Sequence, residues 1–102
     1  MNFLNQHHNA ITQLCFSNKV KTLFAFGSVV TNNFTAERDI DLIVDMDEMD
    51  PFSYSDKYFN LIFQLETLLN RNIDLLEEKA LRNQALKQQI DHTKVTIYGG
   101  GN

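Results

Sequence analysis

Gly27-Ser28, three aspartates and the spacing between them carry the chemical signal in this chain. A ten-residue spacer, Val29 to Arg38, follows Gly27-Ser28, then comes Asp39-Ile40-Asp41-Leu42-Ile43-Val44, and Asp74 stands later inside Ile73-Asp74-Leu75-Leu76. Side chains at i and i+2 of a strand point to the same face, so Asp39 and Asp41 are expected to project together while Ile40, Leu42 and Val44 fill the other side. Two carboxylates held that close repel. A divalent cation relieves the repulsion, and an all-oxygen donor set suits Mg2+ or Mn2+, which also hold substrate phosphates. The spacing points to a metal-dependent phosphate site.

Gly27-Ser28 fits the same chemistry if it lies where a strand turns into a helix. Glycine lets the backbone approach a phosphate closely and take a positive φ, a helix start offers free N–H groups, and the Ser28 hydroxyl adds a donor. No Gly-Lys-Ser/Thr follows, so this is not a Walker loop.

These residues need an alternating framework to bring them together. Apolar periodicity predicts a first helix over roughly residues 2–16, with Leu4, Ile11, Leu14 and Cys15 near one stripe, and then a strand at Lys21–Phe26. A short helical or irregular stretch follows Gly27-Ser28. Ile40–Asp45 reads as the second strand, Ser53–Leu69 as the clearest helix, Arg71–Glu77 as the third strand, Leu81–Asp91 as a further helix and Lys94–Tyr98 as the last strand. In the long helix, Tyr54, Tyr58, Leu61, Ile62, Leu65, Leu68 and Leu69 form one broad face for the sheet. Phe59 and Phe63 fall on the other side, one turn apart, as a candidate patch for self-association or another chain, unless a loop or the first helix covers them. Asp45, Asp47, Glu48 and Asp50 read as a solvated acidic loop. His7, His8 and His92 are too scattered for a histidine metal site. Cys15 reads as a core residue.

The chain has 102 residues, 43% of them hydrophobic, which fits one compact domain spanning 1–102 with residues 99–102 as a flexible tail. A large co-substrate must therefore lie in an open groove or against another chain. The net charge of −4 argues against nonspecific nucleic-acid binding as a main role. The single cysteine forms no internal disulfide, and neither a signal peptide nor a membrane-length apolar run is evident. A reducing cytoplasm is the expected location.

Taken together, Gly27-Ser28, the ten-residue spacer and Asp39-x-Asp41 resemble the signature of the DNA polymerase β-like nucleotidyltransferase superfamily. The chain is most similar to its minimal nucleotidyltransferases, small prokaryotic domains, and the resemblance extends to Ile73-Asp74-Leu75 and Ile97-Tyr98-Gly99. It implies an α/β fold, with a small mixed β-sheet flanked by helices. It also implies that Gly27 and Ser28 hold the triphosphate of a nucleotide, that Asp39 and Asp41 bind metal, and that Asp74 is the third carboxylate. Two positions depart from the common pattern: Arg38 replaces a small polar residue, and Thr31 stands where many members carry arginine. A guanidinium at Arg38 can supply the charge missing at Thr31 by pairing with phosphate oxygens, or lie in solvent.

The implied reaction is in-line attack on an α-phosphorus, which releases pyrophosphate and leaves a nucleoside monophosphate, AMP from ATP, on a hydroxyl. Domains of this kind act as antitoxins beside helical HEPN toxins, some of them by adding AMP to a toxin tyrosine. That role suits a chain too short to carry its own acceptor-binding domain, and the same shortness disfavours transfer to an antibiotic. The competing reading is a non-catalytic binding module that neutralises or assembles with a partner protein.

Overall fold

A computed structural model of the chain describes residues 2–31, 34–35 and 37–99. Four strands, β1 (Val20–Phe26), β2 (Ile40–Met46), β3 (Ile73–Glu77) and β4 (Val95–Gly99), form one sheet in the order β3-β2-β1-β4. β1 runs antiparallel to both of its neighbours, while β2 and β3 are parallel, so the sheet is mixed. The expected architecture is present. The expected tail falls largely on residues 100–102, outside the described residues.

The alternation of side chains divides the sheet into two unlike faces. Leu23, Ala25, Ile40, Leu42, Val44, Ile73, Leu75 and Ile97 point to one face and join the hydrophobic core. Against them pack α1 (Asn2–Asn5) through Leu4, α2 (His8–Ser17) through Ile11 and Cys15, and α3 (Pro51–Leu69) through Leu61, Leu65 and Leu69. The three α3 leucines recur at i, i+4 and i+8, and burying each stabilises the fold by roughly 1.5–3 kcal/mol. Asp41, Ile43 and Asp74 point the other way, because they occupy the alternate positions of β2 and β3. On this second face α4 (Gln84–Thr93) stands across a cleft from Phe26 and the 27–30 turn, with Ile90 buried. The helices thus load one face heavily and leave the aspartate face open beyond α4.

The elements differ from expectation at the N-terminus and around α3. The predicted N-terminal helix is two pieces, broken at Gln6 and His7, although no glycine or proline marks the break. The acidic segment before α3 is more ordered than a solvated loop. Asp50 is the N-cap, accepting from the Ser53 N–H at 2.9 Å, and Pro51 occupies the first turn, where its missing N–H costs nothing. The helix therefore begins at Pro51 rather than Ser53. Glu48 pairs with Lys57 at 3.4 Å and Lys19 at 3.7 Å, while Asp45 belongs to β2. At the other end, α3 stops at Asn70, whose φ of +54° is left-handed and whose N–H bonds to the Glu66 carbonyl at 2.8 Å.

Asn18 ties the helical layer together. Its amide donates to the Leu14 carbonyl at the end of α2 and to Gln64 Oε1 on α3, both at 2.8 Å. Cys15 is fully buried, and desolvation pushes its thiol up to about 12, as a core thiol requires. No described helix is long and apolar enough to cross a membrane.

Candidate active site

The pairing of β2 with β3 assembles the acidic site. The parallel register sets Ile40 beside Ile73 and Asp41 beside Asp74, and both aspartates occupy the face away from the main core. On the opposite flank of β2, Phe26 pairs with Asp41, so β1 runs into Gly27 right beside the Asp41 carboxylate. Asp39 lies just ahead of β2, exposed, and its charge acts on Asp41. Asp39 and Asp41 are thus brought to one site, with Asp74 added from the neighbouring strand.

Asp41 is the most perturbed of the three. Partial burial pushes its carboxyl above the usual range, the charges of Asp74 and Asp39 push it further, and a hydrogen bond with the Asp74 side chain adds to the effect. All four influences favour the neutral acid. The site therefore concentrates more negative charge than it can comfortably hold, which is the condition a cation relieves.

Gly27 is required by contact as well as by conformation. Its φ is +73°, and a Cβ placed there would sit 2.6 Å from Asp41 Oδ2. Ser28 is the second residue of a single 3₁₀ turn, Gly27–Val30, and its carbonyl accepts both the Thr31 N–H at 3.0 Å and the Thr31 hydroxyl at 2.9 Å. The turn is too short to act as an α-helical dipole, so any phosphate contact here must come from local N–H groups and the Ser28 hydroxyl.

The donor chemistry fits a hard divalent cation: carboxylate oxygens only, crowded on an open face, with a glycine leaving room beside one of them. Among the described residues, no three His, Cys, Asp or Glu side chains form a ready-made cage. In this arrangement Asp41 and Asp74 engage each other directly. Among the described residues, His7, His8 and His92 take no part in such a group.

Arg38 stands apart from the Gly27–Asp41 contact. It is exposed and lines a polar hollow of about 320 Å³ together with Asp39, Glu66, Asn70 and Arg71. Sequence reasoning missed Arg71. Its guanidinium lies 4.6 Å from the Phe34 ring centre and 5.1 Å from that of Phe3, and it donates to the Thr35 carbonyl at 3.0 Å and the Arg38 carbonyl at 3.2 Å. Those partners are remote in sequence, and an arginine after a helix end reads as an ordinary solvated cation.

Phe59 and Phe63 are 64% and 68% exposed, so neither a loop nor the first helix covers them. Phe63 also borders an apolar groove between α2 and α3, beside Ala10, Leu14 and Leu68. This patch lies on the helical layer, behind the sheet from the aspartates.

Comparison with known proteins identifies the family. Residues 9–100 match the family described as polymerase beta, nucleotidyltransferase. The chain is 35% identical over 79 residues, 78% of either protein, to the Methanocaldococcus jannaschii protein named "Putative protein adenylyltransferase MJ1379". A second protein from that organism, with the corresponding name ending MJ0128, is 32% identical over the same share. Among solved structures, a minimal nucleotidyltransferase superposes with a TM-score of 0.75 at 25% identity, over 90% of each chain. A tri-AMPylated Shewanella oneidensis HEPN toxin in complex with MNT antitoxin gives a TM-score of 0.64 at 22% identity, covering 94% of this chain and 72% of the matched one. On its motif, its fold and these relatives, the chain belongs to the polymerase β-like nucleotidyltransferase family, as a minimal nucleotidyltransferase.

Proposed function

We propose that the chain transfers AMP from ATP to a hydroxyl on a partner protein, with a HEPN-type toxin as the acceptor and an antitoxin role as the outcome. The observation that carries the reading is Asp41, set between Gly27 and Asp74 with Asp39 nearby and its carboxyl pushed toward neutrality. The names of the M. jannaschii relatives support the adenylyl group, and the toxin–antitoxin complexes sharing this fold support the kind of partner.

Mg2+ or Mn2+, held by Asp39, Asp41 and Asp74, would supply positive charge against the triphosphate and the developing oxyanion. Gly27 admits the phosphate tail close to the backbone, and Ser28 donates to it. Arg38, on the rim beside Asp39, pairs with phosphate oxygens. The acceptor oxygen forms a bond to the α-phosphorus while the α–β bridging bond breaks, and pyrophosphate leaves with that electron pair. Asp74 accepts the acceptor's proton. The open aspartate face admits a bulky acceptor, as protein modification requires.

Incubation of the protein with α-labelled ATP, Mg2+ and the product of its neighbouring gene tests the proposal. The expected result is label on the neighbour, lost with Asp41→Asn. A stable complex without label transfer would overturn the enzymatic reading in favour of a binding module.

A further inference from the structure

Arg71 lies outside the acidic cluster, yet its bonds converge on the backbone that leads into it. The guanidinium packs against the rings of Phe3 and Phe34, at 5.1 and 4.6 Å from their centres, which themselves lie 5.7 Å apart, and its Nη1 donates to the carbonyls of Thr35 and Arg38. Arg38 immediately precedes Asp39. The turn that carries Arg71 is itself fixed where it enters β3. Glu66 Oε2 accepts the Ile73 N–H at 3.0 Å, and the Asn72 carbonyl accepts the Ile40 N–H at 3.0 Å. One short segment, 70–73, therefore ties the start of β3, which leads to Asp74, to the start of β2, which leads to Asp41.

Asp39 needs such support more than Asp41 does. Asp41 is held inside the ladder by pairing with Phe26 and Asp74, whereas Asp39 precedes the first paired residue, Ile40. Left alone, an exposed residue at a strand's leading end would sample many orientations. A planar guanidinium suits the restraining task, because its fork can bond two carbonyls while its faces stack on aromatic rings. A lysine ammonium can donate and sit over a ring, but it has no plane to lay along one.

We propose that Arg71 is a positioning residue for the nucleotidyltransfer site, holding the backbone at Thr35 and Arg38 so that Asp39 is presented beside Asp41 and Asp74. This assignment rests on the functional reading above for its purpose, though not for its geometry. Residues that orient metal ligands from behind typically change metal affinity by about 10–100-fold when removed.

The test compares the wild-type chain with Arg71→Ala and the milder Arg71→Lys. Mn2+ binding is measured by electron paramagnetic resonance, and backbone hydrogen exchange is followed in segments covering 34–41 and, as a reference, 61–69 in α3. The expected result is faster exchange in 34–41 with 61–69 unchanged, together with a rise of about tenfold in the Mn2+ concentration for half-saturation in both variants. Unchanged exchange in 34–41 would overturn the clamp. Faster exchange with unaltered Mn2+ affinity would overturn the positioning role and leave Arg71 a structural residue. If wild-type protein binds no Mn2+ at all, the functional reading fails, and the purpose assigned to the clamp fails with it. The exchange comparison still decides whether the clamp itself exists.

Discussion

Replacing Asp41 with asparagine should disable the site and, at the same time, make the metal-free protein more stable. Adjacent strands lie about 4.8 Å apart, so ionised Asp41 and Asp74 repel by roughly 1 kcal/mol in a nearly aqueous dielectric. Both side chains are open enough to water that a larger figure is unwarranted. Asparagine keeps the size, removes one charge and can donate to Asp74, for an expected gain of about 0.5–1 kcal/mol, or roughly 2–8 °C in Tm for a chain this small. The pH dependence follows from the raised carboxyl of Asp41. Below its ordinary value of 3.8 the acid is neutral in both folded and unfolded chains and nothing is gained. As pH rises through the folded value, the wild-type protein must ionise Asp41 against its neighbours, and the advantage of the variant grows to its full size. Thermal unfolding followed by circular dichroism in EDTA, at pH 7.5 and at about pH 4, reads the gap directly. Adding Mg2+ at ten times its dissociation constant should then raise wild-type stability by about 1.4 kcal/mol and leave the variant almost unmoved. A variant less stable than wild type at pH 7.5, or a gap independent of pH, would refute the account of charge crowding.

The remaining expectations are independent of one another. Gly27→Ala should cost about 1–2 kcal/mol in denaturant unfolding and abolish label transfer, since it combines a positive φ with a Cβ driven against Asp41; retained activity would remove Gly27 from the site. Asp50→Ala should cost about 1 kcal/mol by stripping the cap of α3 while leaving transfer intact, and a loss of activity without a loss of stability would give Asp50 another role. Phe59→Ala with Phe63→Ala should reduce self-association in sedimentation while changing stability by less than about 0.5 kcal/mol, because both rings are solvent-facing; an unchanged molecular mass would argue against the patch.

Much of the site was legible in the sequence because its signal is local. Asp39-Ile40-Asp41 declares a two-faced strand through its period of two, and Gly27-Ser28 stands at a fixed distance before it. The contact between Asp41 and Asp74 was less accessible, because it depends on β3 joining β2 in a parallel register that strand patterning alone does not specify. The start of α3 was misplaced for a different reason. A run of acids looks like a solvated loop until Asp50-Pro51-Phe52-Ser53 is recognised as a capping residue followed by a proline in the first turn. The break at Gln6–His7 carries no local breaker that the sequence could show, and both pieces reach the core, α1 through Leu4 and α2 through Ile11 and Cys15. Arg71 was invisible because its meaning lies in rings and carbonyls contributed by two distant segments.

The parallel joining of β2 to β3 also sets when the site can exist during folding. Asp41 and Asp74 are separated by 33 positions, and the whole of α3 lies between the two strands. Closing a loop of that length carries an entropic cost that burial of the α3 leucines helps to offset, so the acids should meet late on the pathway. Nascent or partly unfolded chains would then lack a competent centre, and activity should vanish together with the cooperative loss of structure rather than ahead of it.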